Sequence, residues 1–247
     1  MPSRMVPRMD TFALKPGRKV GARYVIENRL GGGSEGEVYQ IRELDTGIRR
    51  AAKLYFPHRD PKHKLTIRHA RKLEALRYCS IVLQYHHSEI ITVQGRKVIA
   101  LISDLCDGQQ LEQWIAQHPE GRLSPYLALH VLYNLVRGLE AVHMMGEYHS
   151  DVHSQNILIT PRGVRFDLKL VDFYDWGKPQ PYKQKQDIKD SIRVFHECLG
   201  GRKYYASLPD ELKYICAGLR SDLMIKRFPT MTSLRMYLES FKWQTLI

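Results

Sequence analysis

The densest chemistry in the chain lies between Tyr148 and Ile159, which reads Tyr-His-Ser-Asp-Val-His-Ser-Gln-Asn-Ile-Leu-Ile, and is followed by Lys169-Leu170-Val171-Asp172-Phe173-Tyr174. Asp151, Asn156 and Asp172 stand at the ends of short apolar runs. His149, Asp151 and His153 alternate, so on a strand they would share one face and could ligate a transition metal, although no fourth ligand stands at suitable spacing. A second group is Leu30-Gly31-Gly32-Gly33-Ser34-Glu35-Gly36-Glu37-Val38. Glycines at such spacing let a backbone approach phosphate oxygens where a Cβ would not fit. Glu35 and Glu37 would weaken phosphate binding unless they point to solvent from a hairpin tip. The third group is Ala51-Ala52-Lys53-Leu54, a lysine in an apolar strand, where an ammonium needs an anionic partner. Between Lys53 and Ser88 the acidic residues are Asp60 and Glu74. Asp60 is expected to cap a helix, which leaves Glu74 to pair with Lys53.

These residues need elements to hold them. Up to about residue 105 the pattern is strand-like: Tyr24–Leu30, Gly36–Ile41 and Arg50–Tyr55 form an antiparallel meander around the glycine cluster and Asp45-Thr46-Gly47. Asp60-Pro61 opens a helix running to about Tyr78, and Ile90–Val93 pairs with Lys97–Ile102 around Gln94-Gly95. The chain then turns helical, with Leu111–Gln117 short and Ser124–Met145 long, the latter with Leu127, Val131, Leu135 and Leu139 as core. Because Val38-Tyr39-Gln40-Ile41 continues as strand, the glycines form a lid over a nucleotide rather than the entry to a helix. The expected fold is α+β: a small sheet-rich lobe joined near Leu105–Gly108 to a helical one.

The ordered set of glycine loop, Lys53, Glu74, Asp151, Asn156 and Asp172 resembles the protein-kinase superfamily, over about residues 22 to 240. Asp151 and Asn156 have the spacing of its H-R-D-x-x-x-x-N loop, and Asp172-Phe173 stands where D-F-G begins. Gln186-Asp187-Ile188 looks like the start of its central helix and Arg227-Phe228-Pro229-Thr230 like its late R-P motif. The resemblance implies a bilobal fold with a basic tail at 1–20, an N-lobe at 21–104 and a reduced C-lobe at 105–247, one kinase-like domain spanning 21–242. It implies that ATP and Mg²⁺ are bound. Lys53, held by Glu74, would contact the α- and β-phosphates, Asn156 and Asp172 would hold the metal, and Asp151, with His153 two residues on, would orient the acceptor hydroxyl. Ser103, Asp104, Leu105 and Cys106 would form the hinge against adenine, with Ser103 as a small gatekeeper. Gly31, Gly33, Ser34, Gly36, Val38, Ala51 and Leu158 would complete the nucleotide contacts.

Departures from the family pattern leave the acceptor open. Ser150 replaces the arginine that pairs with a phosphorylated activation loop, Tyr174 replaces the D-F-G glycine, and His153 replaces lysine, giving H-x-D-x-H. From Tyr174 to Gln186 there are only thirteen residues and no A-P-E motif, so Arg227 needs a partner other than that motif's glutamate. A serine/threonine protein kinase, an aminoglycoside- or choline-kinase-like phosphotransferase acting on a small alcohol, and a nucleotide-binding pseudokinase scaffold all remain readings of this set.

The 247 residues carry a net charge of +12, confined to residues 1–20 (five basic, one acidic) and 49–77 (ten basic, two acidic). A uniformly basic nucleic-acid-binding surface is therefore not expected. In the helix after Pro61, the residues Lys64, Arg68, Arg71 and Lys72 recur on one stripe, a candidate docking face for an acidic partner. No apolar run reaches a membrane-spanning length, no secretory signal is evident, and Cys79, Cys106, Cys198 and Cys216 lie far apart. A cytoplasmic protein is the expectation.

Overall fold

The computed structural model describes residues 8–163, 165–173 and 180–241. The chain divides into two compact units, the first of residues 1–77 and 83–106, the second of residues 78–82 and 107–247.

In the first unit β1 (Lys19–Val20), β2 (Tyr24–Gly32), β3 (Gly36–Glu43), β4 (Arg49–Tyr55), β5 (Tyr85–Val93) and β6 (Arg96–Asp104) form one antiparallel sheet in the order β1-β2-β3-β4-β6-β5. The β5–β6 turn places Gln94 and Gly95 at φ 48 and 75, the two successive left-handed positions that match the twist of a tight hairpin. Alternation along the strands sends Tyr39, Ile41, Ala52, Leu54, Ala100 and Ile102 to one face, where Met9, Phe12 and Leu14 join them in a core. The described part of the expected basic tail is therefore tied to the sheet by Met9, Phe12 and Leu14, while Arg8, Lys15, Arg18 and Lys19 stay exposed.

The helix α1 (Lys64–Ala75) is shorter than the expected span to Tyr78 and starts later. Asp60 does hold its first turn, accepting from Leu65 N and Thr66 N, each at 2.9 Å, and from Thr66 Oγ1 at 2.6 Å. His63, at φ 53, occupies the cap position between them, so Pro61 is not the first helical residue. The inward face of α1 carries Thr66, His69, Lys72 and Leu73, while Lys64, Arg68 and Arg71 are exposed. Lys72 thus leaves the exposed stripe: about 40° around the helix from Arg68 and about 60° from His69, it stands at the border of the two faces and is buried.

The second unit opens with β7 (Gln109–Gln110) and the short α2 (Leu111–Ala116) and is built on α3 (Pro125–Met144), where Ser124 Oγ accepts from Leu127 N at 3.3 Å ahead of Pro125. Its apolar row Val131, Leu132, Leu135, Leu139 and Val142 is buried. A sheet of β7, β8 (Ile157–Arg162) and β9 (Arg165–Leu170) carries the chemistry-bearing loops. Residues 78–82 extend β9: Leu170 N donates to Ile81 O at 2.8 Å, and Val82 bridges Leu170 in parallel. Gly138 of α3 makes room for this segment, since a Cβ there would lie 2.5 Å from Ile81 Cδ1. The helix α4 (Pro181–Cys198) begins earlier than Gln186, and α5 (Arg202–Tyr205), α6 (Asp210–Cys216), α7 (Ser221–Arg227) and α8 (Met231–Glu239) complete the unit.

Candidate active site

In the first unit, β2 and β3 flank the glycine-rich turn. Gly36 is required by packing, since a Cβ would sit 2.0 Å from Leu54 O, whereas Gly31 and Gly33 face open space. Ser34 is exposed at the tip, and Val38 pairs with Lys53 across β3 and β4. Ala51 pairs with Ser103 across β4 and β6. Ser103 and Asp104 end strand β6, and Leu105 and Cys106 follow as half-buried irregular chain. The Asp104 carboxylate is occupied by Arg50 Nη1 at 3.1 Å and His86 Nε2 at 2.7 Å, and its N–H donates to Gln84 O at 3.0 Å. Glu37 does not point to solvent: it is 1% exposed.

The expected Lys53–Glu74 pair is not formed. Glu74 stands on the exposed side of α1, where its carboxylate pairs with Arg77. Lys53 Nζ lies 5.1 Å from the centroid of the Tyr55 ring, and Tyr55 OH meets His69 Nδ1 at 2.8 Å. The link from the lysine strand to α1 thus runs through an aromatic hydroxyl and an imidazole. Elimination among acidic residues could not find it, but helical periodicity could: His69 precedes Leu73 by four residues and Leu76 by seven, and both leucines are buried.

In the second unit, His149 joins the two chemistry-bearing loops. Its Nδ1 accepts from Asp151 N at 3.3 Å, its Nε2 meets Val171 O at 2.8 Å, and its ring packs edge-on to Phe173 at 4.5 Å. With both nitrogens engaged, His149 is a structural residue, and among the described residues no three His, Cys, Asp or Glu side chains are placed to hold a metal. Below it the fully buried Asp187 accepts from His149 N at 2.8 Å, Ser150 N at 2.6 Å and His143 Nε2 at 2.9 Å. These bonds hold Ser150 at φ 69, a left-handed conformation that a serine adopts only when its surroundings impose it.

Asp151 and Asn156 are brought together: the Asn156 amide nitrogen donates to Asp151 O at 3.0 Å and to Asp151 Oδ2 at 3.3 Å. Its amide oxygen is then the atom left for a cation. Val171 N donates to Asn156 O at 3.0 Å, which sets Asp172, at φ 60, beside this loop. His153 Nε2 is 3.7 Å from Asp151 Oδ2. Leu158, half-buried on β8, is paired with Lys169 on one side and Gln110 on the other. Tyr174 lies outside the described residues. The Arg227 guanidinium finds its partner in Tyr214, stacking 4.1 Å over that ring and donating to Tyr214 O. The buried Lys183, from the first turn of α4, donates to Tyr148 OH at 2.8 Å.

Comparison with known proteins agrees with this arrangement. Residues 24–207 match the model of the protein kinase domain. The serine/threonine-protein kinase PkaA of Streptomyces coelicolor is 29% identical over 165 residues, 63% of this chain and 30% of that protein. The CBL-interacting protein kinase 29 of Oryza sativa is 29% identical over 182 residues, 70% of this chain and 39% of that protein. The chain therefore spans well under half the length of these relatives. The PknI kinase domain of Mycobacterium tuberculosis superposes with a TM-score of 0.64 at 19% identity, covering 92% of this chain and 99% of that one, and so shares its fold. With a family match over most of its length and a bilobal α+β fold, the chain belongs to the protein kinase family.

Proposed function

We propose that this kinase transfers the γ-phosphoryl group of ATP to a serine or threonine hydroxyl of a protein, with Mg²⁺ as cofactor. The observation that supports the reading is the hydrogen bond from the Asn156 amide to Asp151, in a loop tied through His149 and Asn156 to Val171, the residue before Asp172. The oxygen donors of Asn156 and Asp172 fit a hard cation and would hold Mg²⁺. When bound, the ion neutralises charge on the phosphates during transfer. Asp151 would accept the proton of the attacking hydroxyl, its carboxylate held by the Asn156 amide. Lys53 would supply positive charge to the phosphates, the backbone around Gly31 and Gly33 would approach them, and the chain from Ser103 to Cys106 would offer peptide groups to adenine. The relatives named as serine/threonine kinases favour a protein acceptor. One observation favours a small alcohol instead: α4 begins at Pro181, so only residues 174–180 separate Phe173 from it, a short platform for a peptide. An acidic partner would meet the exposed residues Lys64, Arg68 and Arg71.

The test is incubation with labelled ATP and Mg²⁺ in the presence of generic protein acceptors or of small alcohols. Label should appear on protein serine or threonine, and Asp151→Asn should abolish it while nucleotide affinity stays nearly intact. Asp172→Asn should lose the Mg²⁺-dependent part of that affinity. Label on alcohols alone would replace the protein-kinase reading, and absence of transfer with retained ATP binding would make the chain a pseudokinase.

A further inference from the structure

The glycine-rich hairpin carries a buried carboxylate that the transfer reaction does not use. Glu37 follows Gly36 directly and pairs across the hairpin with Gly32. Alternation puts it on the face opposite Lys53, because Glu37 pairs with Leu54 while Lys53 pairs with Val38. It therefore cannot touch a nucleotide lying on the lysine face.

Its oxygens hold two separate pieces of chain together. From the hairpin, Arg29 Nε donates to Oε1 at 3.1 Å and Tyr39 OH donates to Oε2. From the N-terminal segment, Thr11 Oγ1 donates to Oε1 at 2.9 Å and Phe12 N to Oε2 at 3.0 Å. Gly32 lies under the Arg29–Glu37 pair so closely that a Cβ would be 2.6 Å from Arg29 and 2.9 Å from Glu37. The segment is anchored on the same face by the buried residues Met9, Phe12 and Leu14, with the Phe12 and Phe56 rings 5.0 Å apart and Leu14 N donating to Tyr39 OH at 3.3 Å. Of the groups that make this junction, Thr11 is an exposed residue.

We propose that residues 8–14 are a strap that holds the glycine-rich hairpin in its nucleotide-receiving conformation, with Glu37 as the positioning residue that transmits the hold and Thr11 as its exposed, releasable pin. The proposal rests on the reading of the hairpin as a phosphate-binding lid. Its physical basis is that a glycine-rich turn gains most from outside restraint, since its own residues contribute the largest backbone freedom. Capping or esterifying the Thr11 hydroxyl would remove one donor and, if the added group is a phosphate, set like charge against Glu37.

The test compares the full chain with Thr11→Val, Thr11→Ser and Glu37→Gln, reading ATP affinity, KM and kcat, and amide hydrogen exchange at residues 31–37. Thr11→Val should raise KM for ATP about fivefold, the worth of one net hydrogen bond, with kcat nearly unchanged. Exchange at the hairpin should quicken in the same variant, Thr11→Ser should restore both, and Thr11→Val added to Glu37→Gln should cost little more than Glu37→Gln alone. Unchanged exchange and ATP affinity in Thr11→Val would overturn the strap, as would equal losses in kcat and folded fraction. If the wild type binds no ATP, the phosphate-lid reading fails, and hairpin exchange alone still decides whether the strap holds the hairpin.

Discussion

Glu37 in the first unit and Asp187 in the second are both buried carboxylates, and they are held in different ways. Asp187 collects the backbone N–H groups of His149 and Ser150 and the ring of the largely buried His143. Glu37 collects a phenol, one amide, the threonine hydroxyl of an exposed residue and the half-exposed guanidinium of Arg29. Backbone donors cannot be withdrawn without unfolding the loop, whereas side-chain donors at the surface can be modified, displaced or screened. The loop carrying Asp151 is thus fixed by its own backbone, while the hairpin expected to grip a nucleotide is fixed by contacts that can be loosened.

The contrast breaks most visibly at Asp187. Asp187→Ala leaves two buried N–H groups and a histidine without their acceptor, and should cost about 3 kcal/mol of stability and about a hundredfold or more in transfer rate. Thermal unfolding and steady-state rates check this, and a milder loss than that of Glu37→Gln would reverse the ranking. Glu37→Gln should cost about 2 kcal/mol, since the amide keeps the shape and loses the charge. Burial pushes Glu37 up, but the bonds from Tyr39, Phe12 N and Thr11 and the charge of Arg29 outweigh it, leaving it below the usual carboxylate range. Its contribution is therefore complete above the unfolded carboxylate pKa and is lost as pH falls through the lower folded value. Acid unfolding of wild type should accordingly fall more steeply below about pH 4 than that of Glu37→Gln. Burial and the bond to Glu37 push Tyr39 up to about 12, so it remains a donor across this range.

Smaller effects sharpen the picture. Tyr55→Phe keeps the ring beneath Lys53 and removes the bond to His69, so it should cost about 1 kcal/mol and weaken ATP binding a few fold, measurable by titration calorimetry. Paired reversal, Arg68→Glu with Arg71→Glu, should change stability by no more than about 0.5 kcal/mol, because both residues are exposed. A salt-sensitive loss of association in that variant would identify the partner face.

Much of the first unit was legible because alternation and turn chemistry agree: Tyr24, Ile26, Tyr39 and Ile41 alternate inward, and Gln94-Gly95 takes the two left-handed positions that its composition suggests. Asp151 and Asn156 stand out in the sequence through their resemblance to the kinase loop, and they meet through a hydrogen bond. What was not legible depends on long-range burial. Met9, Phe12 and Leu14 look like a sparse apolar scatter among basic residues until the sheet face that accepts them exists. Lys72 reads as part of a charged stripe because it stands four residues after Arg68, at the stripe's edge, where what packs against the helix decides burial. Glu37 reads as a solvated tip residue because its four donors come from separate stretches of chain. Glu74 reads as the partner of Lys53 by its charge, whereas the inward position belongs to His69.

Residues 78–82 carry a consequence for any attempt to divide the chain. They lie in sequence between α1 and β5 yet are built into the other unit, beneath Gly138 and alongside Leu170, where Lys169 Nζ also reaches Ser80 O at 2.6 Å. A fragment cut after Cys106 would carry away the chain that completes β9, leaving an unfilled notch and an unpaired sheet edge in the remainder. Expression of the halves as separate polypeptides should therefore yield an aggregation-prone C-terminal piece, and a permuted chain that keeps residues 78–82 with residues 107–241 offers the more soluble boundary.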